Sequence, residues 1–196
     1  KAISDYAFES QPNVTKVYIP SSVVSVGDGV FINCSSLTSV EFESGSGVTS
    51  IGYEMFSGCA KLANVKLPED LDEIPEKAFF NCKSLLSINA PKAKSIGISA
   101  FQGCSSLKTA DFSKQTTFIG QYSFSDCTSL ESVYIPKTAT LGDNAFSNCS
   151  KLSSVTLEEG IETLPYNFFS KCKSLSSIVL PSTLTTIDSY CFNESG

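Results

Sequence analysis

The cysteines are the residues best equipped for chemistry in this chain of 196 residues, which contains eight of them and no histidine. Without an imidazole there is no Cys-His or Ser-His pair to raise a nucleophile and no histidine metal ligand. Seven of the cysteines recur at an even spacing: Cys34, Cys59, Cys82, Cys104, Cys127, Cys149 and Cys172. If that interval is a structural repeat, the thiols form a column, which spreads ligands along an axis instead of around a metal ion. Parallel side chains in register also fail to converge to the ~3.8 Å Cβ separation of a disulfide. The column is therefore expected to be unbonded and buried, since free cysteine packs as a small hydrophobe. Cys191 stands outside the column, close to the last residue, and is the one thiol open to exposure.

The carboxylates offer little more. Glu41 and Glu43 lie two residues apart. On one extended segment they point to the same side, and a solvated sheet face is the simpler reading. Asp70, Asp72 and Glu73 could offer oxygens to Ca²⁺ but lack the glycine-punctuated spacing of a calcium loop. Asn13, Asn33, Asn148 and Asn193 open N-x-S/T sequons; at Asn33 and Asn148 a turn already accounts for the asparagine. The net charge is −6 and the sequence contains no arginine. Phosphate recognition leans on basic clusters and arginine forks, so no nucleic-acid partner is expected. The apolar runs fall far short of a membrane span. These observations point away from an enzyme, a metal site and a cofactor.

What positions these residues is a repeat. Phe8, Phe31, Phe56, Phe79, Phe101, Phe124, Phe146, Phe169 and Phe192 recur every 22–25 residues. A period in this range marks a solenoid, propeller or array. The longest interval contains the loop Glu43–Gly47, where an insertion is tolerated. Three residues after each phenylalanine comes the cysteine, and three later a leucine. Then follow Val17, Val40, Val65, Ile88, Ala110, Val133, Val155 and Ile178, with a second apolar column two residues on. The segment L-x-x-V-x-L predicts one short strand per coil, the strands parallel and about 4.8 Å apart. The segment from phenylalanine to cysteine predicts one helical or 3₁₀ turn. Asn33, Gly58, Asn81, Gly103, Asp126 and Asn148 end that turn in left-handed conformation, with Lys171 as the exception in type. Gly27, Gly52, Gly97, Gly120 and Gly142 mark another turn, where Pro75 and Pro165 also occur, so positive φ is not required there. Around Ala90, Ala93 and Ala110 the small residues predict thinner packing, filled by Phe112 and Phe118.

This pattern resembles the BspA-like leucine-rich repeats of cell-surface proteins, over essentially the whole chain. The expected fold class is α/β: a right-handed leucine-rich-repeat solenoid, or horseshoe, of about eight coils of 22–25 residues. Residues 1–196 are expected to form one solenoid domain. The chain opens at Lys1 and stops at Gly196 inside repeats, so a fragment of a longer repeat protein is expected. The resemblance implies an extracellular or cell-surface location. It also implies a binding or adhesion module for a protein or glycan on host matrix or another cell; the chain is expected to be monomeric, non-enzymatic and without membrane insertion. The alternative is a spacer that holds another domain away from the surface. The candidate binding residues are Tyr18, Lys66 and Tyr134 on the outward strand face. With them goes the loop column Lys92, Lys114 and Lys137, where an anionic glycan could run.

Overall fold

The computed structural model describes residues 1–112 and 114–196. In chain order its strands are β1 (Ala2–Ile3), β2 (Lys16–Ile19), β3 (Ser25–Val26), β4 (Ser39–Phe42), β5 (Asn64–Lys66), β6 (Glu73–Ile74), β7 (Ser87–Ala90), β8 (Ser95–Ile96), β9 (Thr109–Phe112), β10 (Phe118–Ile119), β11 (Ser132–Ile135), β12 (Thr140–Leu141), β13 (Ser154–Leu157), β14 (Thr163–Leu164) and β15 (Thr186–Ile187). The longer strands are the L-x-x-V-x-L segments, and their pairings are parallel. Val17 lies opposite Val40, and Val40 opposite Val65 across the longer interval, so the Glu43–Gly47 insertion does not shift the column. The two-residue strands build a second parallel ladder, β6–β8–β10–β12, with separate pairs β1–β3 and β14–β15. Its signal was a branched aliphatic residue just ahead of the glycine column: Val26, Ile74, Ile96, Ile119, Leu141, Leu164 and Ile187.

No helix forms among the described residues, so the α/β class and the helical turn are corrected to a β-solenoid with tight turns. The reason lies in the backbone around each phenylalanine. The residue two after it is left-handed as expected, at Asn33 (φ 58), Asp126 (φ 62) and even Lys171 (φ 61). A second left-handed column stands two residues before it, at Glu54 (φ 53), Lys77 (φ 52) and Tyr122 (φ 57). Two left-handed residues per turn interrupt a right-handed helix before it can propagate. The amides alternate accordingly. Ile32 and Cys34 donate to Gly29 and Phe31 within the turn, at 3.0 and 3.1 Å, while Phe31 and Asn33 donate to Met55 and Ser57 of the next coil, at 2.9 and 2.8 Å. The glycine column has no positive φ. Its constraint is contact between coils: a Cβ at Gly97 would lie 2.5 Å from the Glu76 nitrogen.

The core runs the length of the chain. The nine phenylalanine rings form one stack, with successive centroids 5.1–5.8 Å apart and planes within 25° of parallel. Phe101 and Leu107 are fully buried, as the register requires. The cysteines do more than fill space. Each column thiol donates to the carbonyl of the phenylalanine one coil back, from Cys34 to Phe8 at 2.9 Å through Cys172 to Phe146 at 3.3 Å. In the last coil Ser195 holds the same position and donates to Phe169 at 2.6 Å. Cys191, the one thiol whose exposure the sequence leaves open, is buried. It occupies the column just before the phenylalanine, whose side chains point inward.

The longer strands do not make one continuous sheet. They divide into β2–β4–β5, β7–β9 and β11–β13. The residue after each strand accounts for the breaks. Glu43 and Glu158 follow β4 and β13, and their amides donate to Ile19 and Ile135 of the preceding coil at 2.9 and 3.0 Å. Pro91 follows β7, Pro136 follows β11, and Pro181 ends the last L-x-x-I-x-L segment. Proline has no amide to donate, and none of these three segments pairs with the strand before it. Pro68 stands in the same column, two residues after β5, which keeps a ladder with β4 shortened to three residues.

Candidate functional site

The strand face carries two clusters built alike. In the first, Tyr18 lies opposite Glu41, and Glu41 opposite Lys66. Lys66 contacts the Glu41 carboxylate at 3.1 Å and the Ser44 hydroxyl at 3.2 Å. Glu43 reaches back one coil to accept the Ser21 amide at 2.6 Å. Its hydrogen bonds to Ser21, then to Tyr18, hold the Glu43 carboxyl down at about 2, and the carboxylate in turn raises the Tyr18 hydroxyl. In the second cluster Glu158 takes the equivalent place. It accepts the Lys137 amide at 3.0 Å and lies 3.7 Å from the Lys137 ammonium. The Lys137 amide is the main cause that lowers the Glu158 carboxyl. Desolvation, then the Glu158 hydrogen bond, raises Tyr134.

The lysine column is therefore not three bare ammonium groups. Lys92 is paired with Asp70 and Lys137 with Glu158, each from a neighbouring coil. Lys114 makes no ion pair among the described residues and stands 5.8 Å over the Tyr134 ring. Glu43, Glu158 and Asp70 were missed as partners in the sequence. The available signal was their spacing, since each lies about one repeat from the group it touches. Tyr18 and Tyr134 are 56% and 39% exposed, although Tyr134 also forms part of a cavity wall.

That cavity lies between β9 and β11, where the ladder is broken. It measures about 110 Å³ and is lined by Ala110, Phe112, Phe124, Leu130, Val133 and Phe146, among others. Thinner packing was expected around Ala90, Ala93 and Ala110; the cavity lies at Ala110, while Ala90 and Ala93 are buried and do not line it. Phe112 partly fills it, with its ring 5.8 Å from both Phe101 and Phe124. Phe118 does not: it belongs to β10 and lines a groove on another side with Tyr53 and Ile98. The cause is the pleat of β10, where Ile119 takes the inward position and Phe118 the outward one.

The buried thiols are poor nucleophiles. Desolvation raises Cys59 and Cys172 to about 12, and Cys82, Cys127 and Cys149 well above the ordinary range. A thiolate is the reactive form. All eight cysteines are unbonded.

The chain matches the family model described as BspA type leucine rich repeat region, in six copies over residues 1–127 and 88–196. No curated protein matches its sequence. Among solved structures, it is similar to the leucine rich repeat protein of T. pallidum, with 30% identity and a TM-score of 0.76 over 93% of this chain and 84% of that one. A leucine-rich repeat protein from Bacteroides ovatus shares 32% identity with a TM-score of 0.63, over 91% of this chain and 43% of that one. A leucine rich cell surface protein from Faecalibacterium prausnitzii is 23% identical, with a TM-score of 0.73 over 98% of this chain and 74% of that one, a likeness of fold. With the repeat matched from the first residue to the last, and the same coil seen in a structure of comparable length, the chain belongs to the BspA-type leucine-rich-repeat family.

Proposed function

We propose that this chain is a non-enzymatic binding or adhesion module, working outside the cell or on its surface, whose strand face contacts a protein or glycan partner. The observation that carries the reading is the exposure of Tyr18 and Tyr134 on the outward strand face. Tyrosine supplies a large contact area at low entropic cost, and exposed aromatics are enriched in recognition surfaces. The location draws support from the cell surface protein of F. prausnitzii, which shares the fold. Lys66 on the strand face and Lys92, Lys114 and Lys137 in the loop column beside it supply cationic groups. Of these, Lys114 is the most available to an anionic glycan, because carboxylates already engage the other three.

The test is binding of the intact chain to arrayed glycans and matrix proteins, with Tyr18→Ala/Tyr134→Ala and Lys92→Ser/Lys114→Ser/Lys137→Ser variants beside it. A partner retained by the parent and lost by the tyrosine variant supports the reading. Salt-sensitive retention lost only by the lysine variant selects the anionic glycan. No retention of any partner by the parent overturns the proposal in favour of a spacer.

A further inference from the structure

We infer that the crevice between β9 and β11 is a binding site for a free amino acid with a branched aliphatic side chain, of the leucine type. Three observations converge there. First, the cavity of about 110 Å³ has an apolar floor that includes Ile96, Ile119, Leu130 and Phe146. A dry apolar cavity of ~150 Å³ is known to hold a benzene ring, so this one suits a side chain of about four carbons.

Second, the rim carries one charge of each sign. Asp111 and Lys114 both line the cavity, and no ion pair occupies either among the described residues. Lys114 is held over Tyr134 at 5.8 Å. A zwitterion complements this rim: its ammonium faces Asp111 and its carboxylate faces Lys114. A hydrocarbon or a simple acid would satisfy only part of the site. Third, no ladder joins β9 to β11. Their facing backbone groups form an open edge inside the sheet, which can hydrogen-bond an ammonium or a carboxylate.

The site depends on two residues, of which Ala110 departs from the repeat. Ala110 stands in a column of valine and isoleucine, and Pro136 removes the amide that would close the ladder. Filling the alanine position is therefore the sharpest way to remove the site while keeping the fold. Ile88 already occupies the same column and is buried one coil earlier, opposite Ala110.

The experiment is a methyl NMR titration of the intact chain with L-leucine, using glycine and toluene as partial mimics. Saturable shifts of the Leu130 and Val133 methyls with L-leucine are expected, with glycine shifting neither. Asp111→Asn and Lys114→Gln are each expected to weaken leucine binding about fivefold, the scale of one exposed charge contact. Ala110→Ile is expected to abolish the shifts while circular dichroism and melting temperature show a folded, no less stable protein. Absence of leucine-induced shifts in the parent overturns the inference. Toluene binding as tightly as leucine, unaffected by either rim substitution, also overturns it and leaves an apolar packing gap. An Ala110→Ile protein that still binds leucine places the ligand elsewhere and overturns the site.

Discussion

Strand β11 has a coil on either side and meets them differently. Toward β13 it makes a four-residue parallel ladder, closed by the Glu158 amide on the Ile135 carbonyl at 3.0 Å. Toward β9 it makes no ladder, and a cavity of about 110 Å³ opens. The repeat is the same on both sides, but the residue that would close the ladder is Pro136 against Glu158, and the valine column holds Ala110 against Val155. Yet the coils do not part at the open side. Phe101 and Phe124 stack at 5.2 Å across it, β8 still pairs with β10, and the Phe101 and Gly103 amides still reach the next coil at 2.7 and 2.9 Å. Cohesion between coils at this interface thus rests on the ring stack, the short-strand ladder and the turn amides, without a long-strand ladder.

The most severe way to break this comparison is Phe101→Ala. It removes a ring that touches both Phe79 and Phe124 beside the open interface. Truncation of a fully buried phenylalanine costs about 3–5 kcal/mol, measurable by denaturant unfolding. A loss below about 1 kcal/mol would show that the stack is not what holds the open side. Next comes Glu158→Pro, which should give the closed side the character of the open one. It strands the Ile135 carbonyl, at a cost of about 1–3 kcal/mol. Amide exchange in β11 and β13 should accelerate, and unchanged protection there would refute the role given to proline.

Ala110→Val acts in the opposite sense by restoring the column residue beside the cavity. Cavity filling of this kind stabilises by about 0.5–2 kcal/mol, and a lowered melting temperature would mean the space is needed. The smallest effect belongs to Glu43→Gln, on a ladder that is closed like β11–β13. The Glu43 carboxyl is lowered from 4.5 to about 2 in the folded chain. A lowered carboxyl contributes stability that is present above the unfolded value and is lost as pH falls through the folded one. The parent should therefore exceed the variant slightly at neutral pH, with the gap closing between about pH 4.5 and 2. A gap that persists at the acid end would exclude the carboxylate as its source.

Much of this was legible because the repeat reports each position many times. The phenylalanine, cysteine and leucine columns and the left-handed Asn, Gly and Asp column follow from residue type alone. The second left-handed column was hidden because Tyr6, Glu54, Lys77 and Tyr122 carry no preference for that backbone. Their conformation is imposed by the hydrogen bonds of neighbouring coils. The helical turn was misjudged for the same reason, since alternate amides are drawn away to the next coil. The breaks in the sheet were readable from Pro91, Pro136 and Pro181 but required knowing that the amide at that column closes the ladder. At the candidate site, Tyr18 and Tyr134 stood out by type. The engagement of Lys92 by Asp70 and of Lys137 by Glu158 depends on side-chain reach between coils, which spacing alone does not convey.

The line of thiols also keeps a record of how the molecule comes apart. Burial raises Cys191 to about 11, Cys59 and Cys172 to about 12, and Cys82, Cys127 and Cys149 well above the ordinary thiol range. A quasi-one-dimensional array frays from its tips, with opening energies that grow inward. Each cysteine then acts as a graduation on a ruler laid along the axis, sealed until its own coil loosens. Pulsed alkylation read by mass spectrometry would mark Cys34 and Cys191 first and Cys104 and Cys127 last, turning the unzipping of the solenoid into a sequence of dated events.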